Sequence, residues 1–582
     1  MRTRVSRAER ARMPLAQDVV LAAATDHGVC IRPLPVRRID LHTGEATVVP
    51  VPCGATLASK CPPCAERART LRMAQCREGW HLDTEPLPDA DEPDAEQKAL
   101  AELRADLTAA LAEAQRRGDA PRAAELAEAV AEADSLLAAA GVRGTVAPGR
   151  KEGRRSRSTR RRQDAPDLPR RPVENRTVGR SFIGRDGTVW RPSTFLTLTC
   201  DTYGRVRSDG TPVDPAAYDY RRAARDAIHF AALVDRFWQN LRRCVGYDVQ
   251  YFACVEPQKR LAPHLHAAVR GTMPRTLVHQ VAAATYHQVW WPRHDQPVYE
   301  AGGYPVWDHD VVGYVDPATG AVLTAWDDAL DAIGEDDEPA HVVRFGPQVR
   351  VDGVVGDSED SRRCIGYLTK YLTKSLDECH APDTAAQKAH VDRMAEALRY
   401  EPCSPTCANW LAYGVQPEES RPGLTPGHCK GKAHKRATLG FGGRRVLVSR
   451  KWSGKNLADH RAERRQYVLA TLGGVLNKPG TRGPDDEHSE HAELSAVDAA
   501  ERYAWEVLKP DDPDAPPRAH LVLHALAERV AWRAQYRAAQ ALADGTASRP
   551  TRRRQGSRTP PETQRRPALA PFRSQDILGG SR

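Results

Sequence analysis

At 582 residues the chain is too long for one ordinary hydrophobic core, and length alone divides it into roughly three or four domains. With 41% hydrophobic and 28% charged residues it has material for globular cores separated by polar segments. The longest apolar run near the start, Val19 to Ala24, is too short for a signal-peptide core or a bilayer span, so a soluble, cytoplasmic chain with no membrane partner is expected.

The net charge of +9 is spread unevenly. Between Arg150 and Arg171 ten Lys or Arg stand against three acidic residues, and Arg552, Arg553 and Arg554 open a second basic run. Such blocks suit phosphate backbones, although a solvated linker has the same composition. Thirteen cysteines without a secretion signal argue against a disulfide framework and for metal-binding thiolates.

Residues 30 to 64 alternate β-like runs with turn signals: Val36 to Leu41 and Ala46 to Val51 flank Thr43-Gly44 and predict a hairpin. Beyond it, Cys61-Pro-Pro-Cys64 forms a knuckle. With Cys53 and Cys30 it offers the four thiolates of a closed structural zinc site, Cys76 competing for the fourth place. From Glu96, Leu100, Leu103, Leu107 and Leu111 recur at helical spacing, a break falls at Gly118 to Pro121, and Leu126, Val130 and Leu137 follow. This predicts a helical hairpin with a packing or self-association stripe. The basic stretch that ends in Pro169 to Pro172 reads as a linker.

Order is expected again from about Ser181. Phe195 to Thr199 and Val249 to Val255 are strand-like, Tyr218 to Cys244 between them is helical, and His264 to Val269 follows a turn-like stretch. The pattern predicts an α+β fold with a central antiparallel sheet. Alternate side chains of a strand share a face, so His264 and His266 point together while Leu265 and Ala267 face the packing layer. A tight turn brings Glu256 beside them, giving two imidazoles and a carboxylate with open positions, a set suited to Mn²⁺ or Mg²⁺. A surface ion pair is the competing role for Glu256.

Met273 to about Gly356 reads as a long insertion, helical over Leu277 to Trp290 and then irregular and acidic. After it comes CIGYLTKYLTKS, residues 364 to 375. As a helix it places Tyr367 and Tyr371 one turn apart on one face, with Lys370 and Lys374 in reach. A phenol of ordinary pKa about 10 becomes a nucleophile when a cation or a polarised target favours its anion, and two phenols allow two successive strand transfers. The alternative is an amphipathic helix that buries its Tyr and Leu residues in a core. Cys403, Cys407, Cys429 and His434 then form a second structural-zinc set, with His428 as an alternate. A glycine-rich turn over Gly440 to Gly443, a strand at Val446 to Val448, helical sequence after Leu457 and a Pro- and Arg-rich tail from about Gly545 complete the chain.

FLTLT (195–199), PHLHAAV (263–269) and YLTKYLTK (367–374) resemble, in order and character, the three motifs of HUH endonucleases, the rolling-circle replication initiators, in their two-tyrosine version. More closely, the chain resembles the initiators of actinobacterial plasmids and integrative elements, over about 160–455 and including the cysteine groups. The resemblance implies a metal-dependent nick in one strand at an origin. Tyr367 or Tyr371 attacks a phosphodiester, leaving a 5′-phosphotyrosine and a 3′-hydroxyl that primes rolling-circle synthesis, while a metal on His264, His266 and Glu256 polarises the phosphate and Lys370 or Lys374 screens the anion. The implied partners are single-stranded origin DNA and a DNA polymerase, and the implied location is on DNA in the cytoplasm. No GxxxxGK[ST] phosphate loop occurs, so a host helicase joins them.

The expected layout is an N-terminal zinc-binding module over 1–90, the helical hairpin over 94–141, a basic disordered linker over 142–180 and an HUH endonuclease domain over 181–380, interrupted at about 273–356. A second zinc-binding module over 381–456 and a helical segment with a basic disordered tail over 457–582 follow. Two other functions fit the same residues: a two-tyrosine HUH transposase, and a non-enzymatic zinc-containing DNA-binding regulator.

Overall fold

Short runs of β-branched and aromatic residues build the sheet around which the rest of the chain is arranged. The computed structural model describes residues 15–86, 92–142, 166–334, 336–356, 358–370, 372–373, 383–442, 445–463, 502–509 and 512–543. The chain divides into two compact units, one of Met1–Gln466 with His491–Val530 and the other of Tyr467–Glu490 with Ala531–Arg582. Helix α1 (Ala16–Asp26), strands β1 (Leu34–Asp40) and β2 (Ala46–Val51) and helix α2 (Pro62–Trp80) come first. Helices α3 (Ala95–Arg117) and α4 (Ala120–Ala139) follow as an antiparallel pair. The sheet region then runs β3 (Pro192–Cys200), α5 (Tyr220–Val245), β4 (Tyr251–Pro257), β5 (Pro263–Val269), α6 (Arg275–Ala284), β6 (Tyr286–Val289), β7 (His341–Val355), α7 (Glu359–Lys370), α8 (Ala385–Tyr400) and β8 (Val446–Val448). Strand β9 (Tyr503–Val507) and helix α9 (Arg518–Ala543) close the described chain.

Six strands make one antiparallel sheet in the order β8-β4-β5-β3-β7-β6. Strand β5 is therefore central, between β4 and β3. One face carries Leu196, Leu198, Val255, Leu265 and Ala267, packed against Phe230, Leu233, Phe237 and Leu241 of α5. Those four recur every three or four residues and so form one helical stripe, and burial of each contributes roughly 1.5–3 kcal/mol. The helix begins where the Asp219 side chain accepts from the Arg222 N–H, and it ends at Gly246 in the left-handed region at φ 77°. The opposite face carries Phe195, Phe252, Cys254 and Ala268, covered by Cys76 and Trp80 of α2, Ile365 and Leu368 of α7, and Trp452. The sheet is thus a layer between helices on both faces, as a mixed α+β chain requires.

The stretch expected to be an insertion is part of this sheet. Within 273–356, α6 packs on α5, and β6 and the fifteen-residue β7 supply two strands, with Val351 opposite Leu196 and Phe345 opposite Cys200. The helical signal of Leu277 to Trp290 ends early, at Ala284, because Tyr286–Val289 pairs with His341–Arg344. Regular alternation in β7 is broken by Gly346-Pro347, where the register shifts between Phe345 and Val349; this bulge hid the strand.

Near the C-terminus, where helix was expected from 457 on, Tyr503–Val507 is a strand. It pairs antiparallel with β1, Val36 opposite Val507, so that β9, β1 and β2 form a three-stranded sheet. Arg502 caps the pairing through an ion pair with Asp40 at 2.8 Å. Val522 of α9 packs with Ala24 and Val29 at the end of α1. Strand β8, from the stretch expected to belong to the second zinc module, pairs with β4 of the main sheet. Of the second unit, residues 531–543 of α9 are described; there the ring of Trp532 stacks on Tyr536 with centroids 5.3 Å apart. Among the described residues no helix is long and apolar enough to cross a membrane.

Candidate active site and metal centres

Antiparallel pairing places Glu256 of β4, His264 of β5 and Thr199 of β3 directly opposite one another across three strands. The next row on the same face holds Cys254, His266, Thr197 and Arg350. The two Nε2 atoms of His264 and His266 converge to 2.7 Å, and Glu256 Oε1 lies 3.6 Å from that of His266. All three residues are buried, and one ligand atom from each lies within 4.8 Å of the others. The second oxygen, Glu256 Oε2, is buried without a hydrogen-bond partner. Burial pushes the Glu256 carboxyl up to about 7, although Arg445 and Lys370 pull against it. Burial, then His264 and Arg350, push the pKa of His266 down. Two buried imidazoles and a buried carboxylate, one of whose oxygens has no partner, gathered within 4.8 Å are a donor set that a divalent cation satisfies. The residues therefore fit the mixed nitrogen and oxygen ligation of Mg²⁺ or Mn²⁺.

Helix α7 brings Tyr367 to the mouth of this cluster. Its Oη is 3.2 Å from His266 Nε2, its ring meets that imidazole edge-on at 4.7 Å, and it also contacts the edge of Phe195. The tyrosine remains 43% exposed, so one side of the phenol is open to a large substrate. Lys370, one turn further, is the last residue of α7, and its charge acts on Glu256. Tyr371 and Lys374, the other half of the repeated motif, lie outside the described residues.

Four groups in this site were not singled out from the sequence. Thr199 Oγ1 and Thr197 Oγ1 contact the Nδ1 atoms of His264 and His266, and so turn both Nε2 atoms inward. Alternation within FLTLT already placed the two threonines on one face, the signal from which they were legible. Arg350 stands opposite Thr197 and Arg445 lies beside the end of β4, where its carbonyl accepts from the Val255 N–H. Both depend on pairings between strands far apart in the chain, which spacing does not reveal.

The replication initiator protein family of pSAM2, RepSA, matches residues 16–528. The chain belongs to this family. Searches of curated proteins and of solved structures return no match. Membership gives the chain a part in starting plasmid replication, a role that points to binding at an origin.

Two further clusters in the initiator have the donor set of structural metal sites. Cys30, Cys53, Cys61 and Cys64 place their sulfurs within 4.8 Å of one another, while Cys76 is buried elsewhere, in the core beneath α7. Burial pushes the Cys30 thiol up, opposed by the backbone N–H groups of Arg32 and Cys53, which donate to its Sγ. Cys403, Cys407, Cys429 and His434 form the second cluster, and His428 is not part of it. There His434 Nδ1 lies 2.6 Å from the Leu398 carbonyl, so its Nε2 faces Cys407 at 3.5 Å. Gly431 passes so close that a Cβ on it would meet Cys403 Sγ at 3.0 Å. Four soft donors, closed and partly buried, suit a metal such as zinc held for structure rather than reaction. A third grouping, Glu78, His460 and Glu463, is bridged by the Lys455 ammonium and differs in kind.

Proposed function

We propose that the chain is an HUH endonuclease that nicks one strand of origin DNA to start rolling-circle replication, with Tyr367 as a nucleophile. The observation that carries this reading is the 3.2 Å approach of Tyr367 Oη to His266 Nε2, at the open side of a buried two-histidine, one-carboxylate cluster. Glu256, His264 and His266 would hold the divalent cation. Bound there, it supplies Lewis-acid polarisation of a phosphodiester.

Tyr367 Oη attacks phosphorus, the bond to the 3′-oxygen breaks, the phenol loses its proton and the departing 3′-oxygen gains one. The products are a 5′-phosphotyrosine and a 3′-hydroxyl primer. Lys370 and Arg445 screen negative charge on the phosphate. Tyr371 with Lys374 serves as the second nucleophile in the same scheme. Zinc on the two thiolate clusters holds the flanking modules together, and a host helicase and polymerase extend the primer.

The test is incubation of the full chain with single-stranded oligonucleotides spanning the element's origin and Mn²⁺, followed by denaturing electrophoresis and peptide mapping. A covalent adduct on Tyr367 or Tyr371 that disappears in the Tyr367→Phe/Tyr371→Phe chain is expected. An adduct that survives the double substitution, or none at all, overturns the proposal.

A further inference from the structure

We propose that the N-terminal thiolate knuckle and the helix that springs from it position the nucleophile, acting as a brace along the tyrosine helix rather than as a separable DNA-binding module. The inference rests on the reading of Tyr367 as nucleophile. It arises from how α2 and α7 are joined.

The last four carbonyls of any α-helix lack partners within the helix. For α7 one such partner comes from the N-terminal region, which also holds the chain just past the helix. Arg69 Nε of α2 donates to the Thr369 carbonyl at 3.3 Å, placing a cation at the negative end of the helix, where it is favourable. Just beyond the helix, the Ala58 N–H donates to the Thr373 carbonyl at 2.6 Å. Ala58 belongs to a tight turn in which the N–H groups of Lys60 and Cys61 both reach the Leu57 carbonyl. That turn lies between Cys53 and Cys61, two members of one cluster, so the cluster fixes the shape of the loop that holds Thr373. At the other end of α7, His81, the residue after α2, places Nε2 3.2 Å from Ser361 Oγ. Between these ends Cys76 and Trp80 share a core with Cys364, Ile365 and Leu368.

The brace is itself anchored to the sheet. Trp80 Nε1 donates to the Val269 carbonyl at 3.2 Å, and the buried Arg270 guanidinium donates twice to the Gly79 carbonyl, at 2.9 and 2.8 Å. Val269 ends the strand that carries His264 and His266 and Arg270 comes next, so the strand bearing the proposed metal ligands also seats the helix that braces α7. Tyr367 stands two residues before Thr369, the carbonyl that Arg69 holds. In-line attack tolerates little displacement, and a misplacement of about 1 Å costs on the order of a hundredfold in rate.

The experiment compares full-length wild type with Arg69→Ala, Arg69→Lys and Cys61→Ser chains by three readouts: amide hydrogen exchange over residues 359–373, affinity for a fluorescein-labelled origin oligonucleotide, and rate of tyrosine adduct formation. Faster exchange in that segment, an adduct rate lower by roughly tenfold or more and unchanged oligonucleotide affinity are expected for Arg69→Ala and Cys61→Ser, with recovery in Arg69→Lys. Exchange over 359–373 that matches wild type in both Arg69→Ala and Cys61→Ser overturns the brace. Faster exchange in those variants when wild type itself forms no adduct leaves the brace standing and removes the nuclease reading, so the two failures are distinguishable.

Discussion

Thr199 Oγ1 lies 2.7 Å from Nδ1 of His264, one strand away, and it fixes which nitrogen of that imidazole faces the cluster. Valine has the same branched shape and strand preference but no hydroxyl. Thr199→Val is therefore expected to leave the fold intact while weakening divalent-cation binding by roughly 10–100-fold, the usual cost of losing an outer partner of a metal-ligating histidine. Titration calorimetry with Mn²⁺ measures this directly. Affinity equal to wild type would mean that the threonine row packs the strand and does nothing for the site.

In the second thiolate cluster the decisive position carries no side chain. A Cβ at residue 431 would approach Cys403 Sγ at 3.0 Å, Cys429 Sγ at 3.4 Å and His434 Cδ2 at 3.4 Å. If this cluster holds a metal such as zinc, Gly431→Ala should therefore push donors apart and release it, while metal on the N-terminal cluster is retained. Elemental analysis of the purified chain, before and after dialysis against a mild chelator, reads the outcome; full retention of metal would show that the loop yields without cost.

The grouping of the candidate site residues was legible because they lie within short stretches. His264 and His266 are two residues apart on one strand, a tight turn sets Glu256 opposite His264, and both thiolate clusters contain closely spaced cysteines. What spacing does not carry is pairing at long range. Strand β7 reaches β3 from about 150 residues away and is interrupted by a Gly-Pro bulge, so it read as an irregular insertion. Strand β9 lies in helix-rich sequence and becomes a strand by pairing with β1, over 460 residues away in the chain. The docking of α2 beneath the tyrosine helix belongs to the same class: it depends on tertiary contacts of Cys76, Trp80 and Trp452 that have no local signature.

That docking gives a stability prediction. A Cβ on Gly79 would lie 2.3 Å from the indole of Trp452 and 2.5 Å from its carbonyl oxygen, and Trp452 is fully buried. Neither the buried ring nor the backbone can retreat without disturbing the core shared with Phe252 and Cys76. Gly79→Ala should destabilise the first unit by roughly 1–3 kcal/mol or more, seen as a lower midpoint in urea. An unchanged midpoint would mean that the end of α2 is not packed against Trp452 as described.

The last prediction concerns acid. His390 of α8 is 2% exposed, its Nδ1 lies 2.7 Å from the Tyr220 hydroxyl, and its Nε2 is buried without a partner. Tyr218 packs edge-on at 5.1 Å. Burial, reinforced by the Arg393 cation and opposed by Asp209, pulls its pKa down to about 4. An unfolded histidine titrates near 6.5, so between those values the unfolded chain binds the extra proton and folding weakens as pH falls. Stability from this group is thus complete above about pH 6.5 and is lost by about pH 4, a change on the order of 3 kcal/mol. His390→Gln keeps a hydrogen-bonding group for Tyr220 but cannot charge. Urea denaturation of the two chains at intervals from pH 7 to pH 4 should show a steeper loss in the wild type; parallel curves would mean that His390 takes up its proton as readily in the folded chain as in the unfolded one.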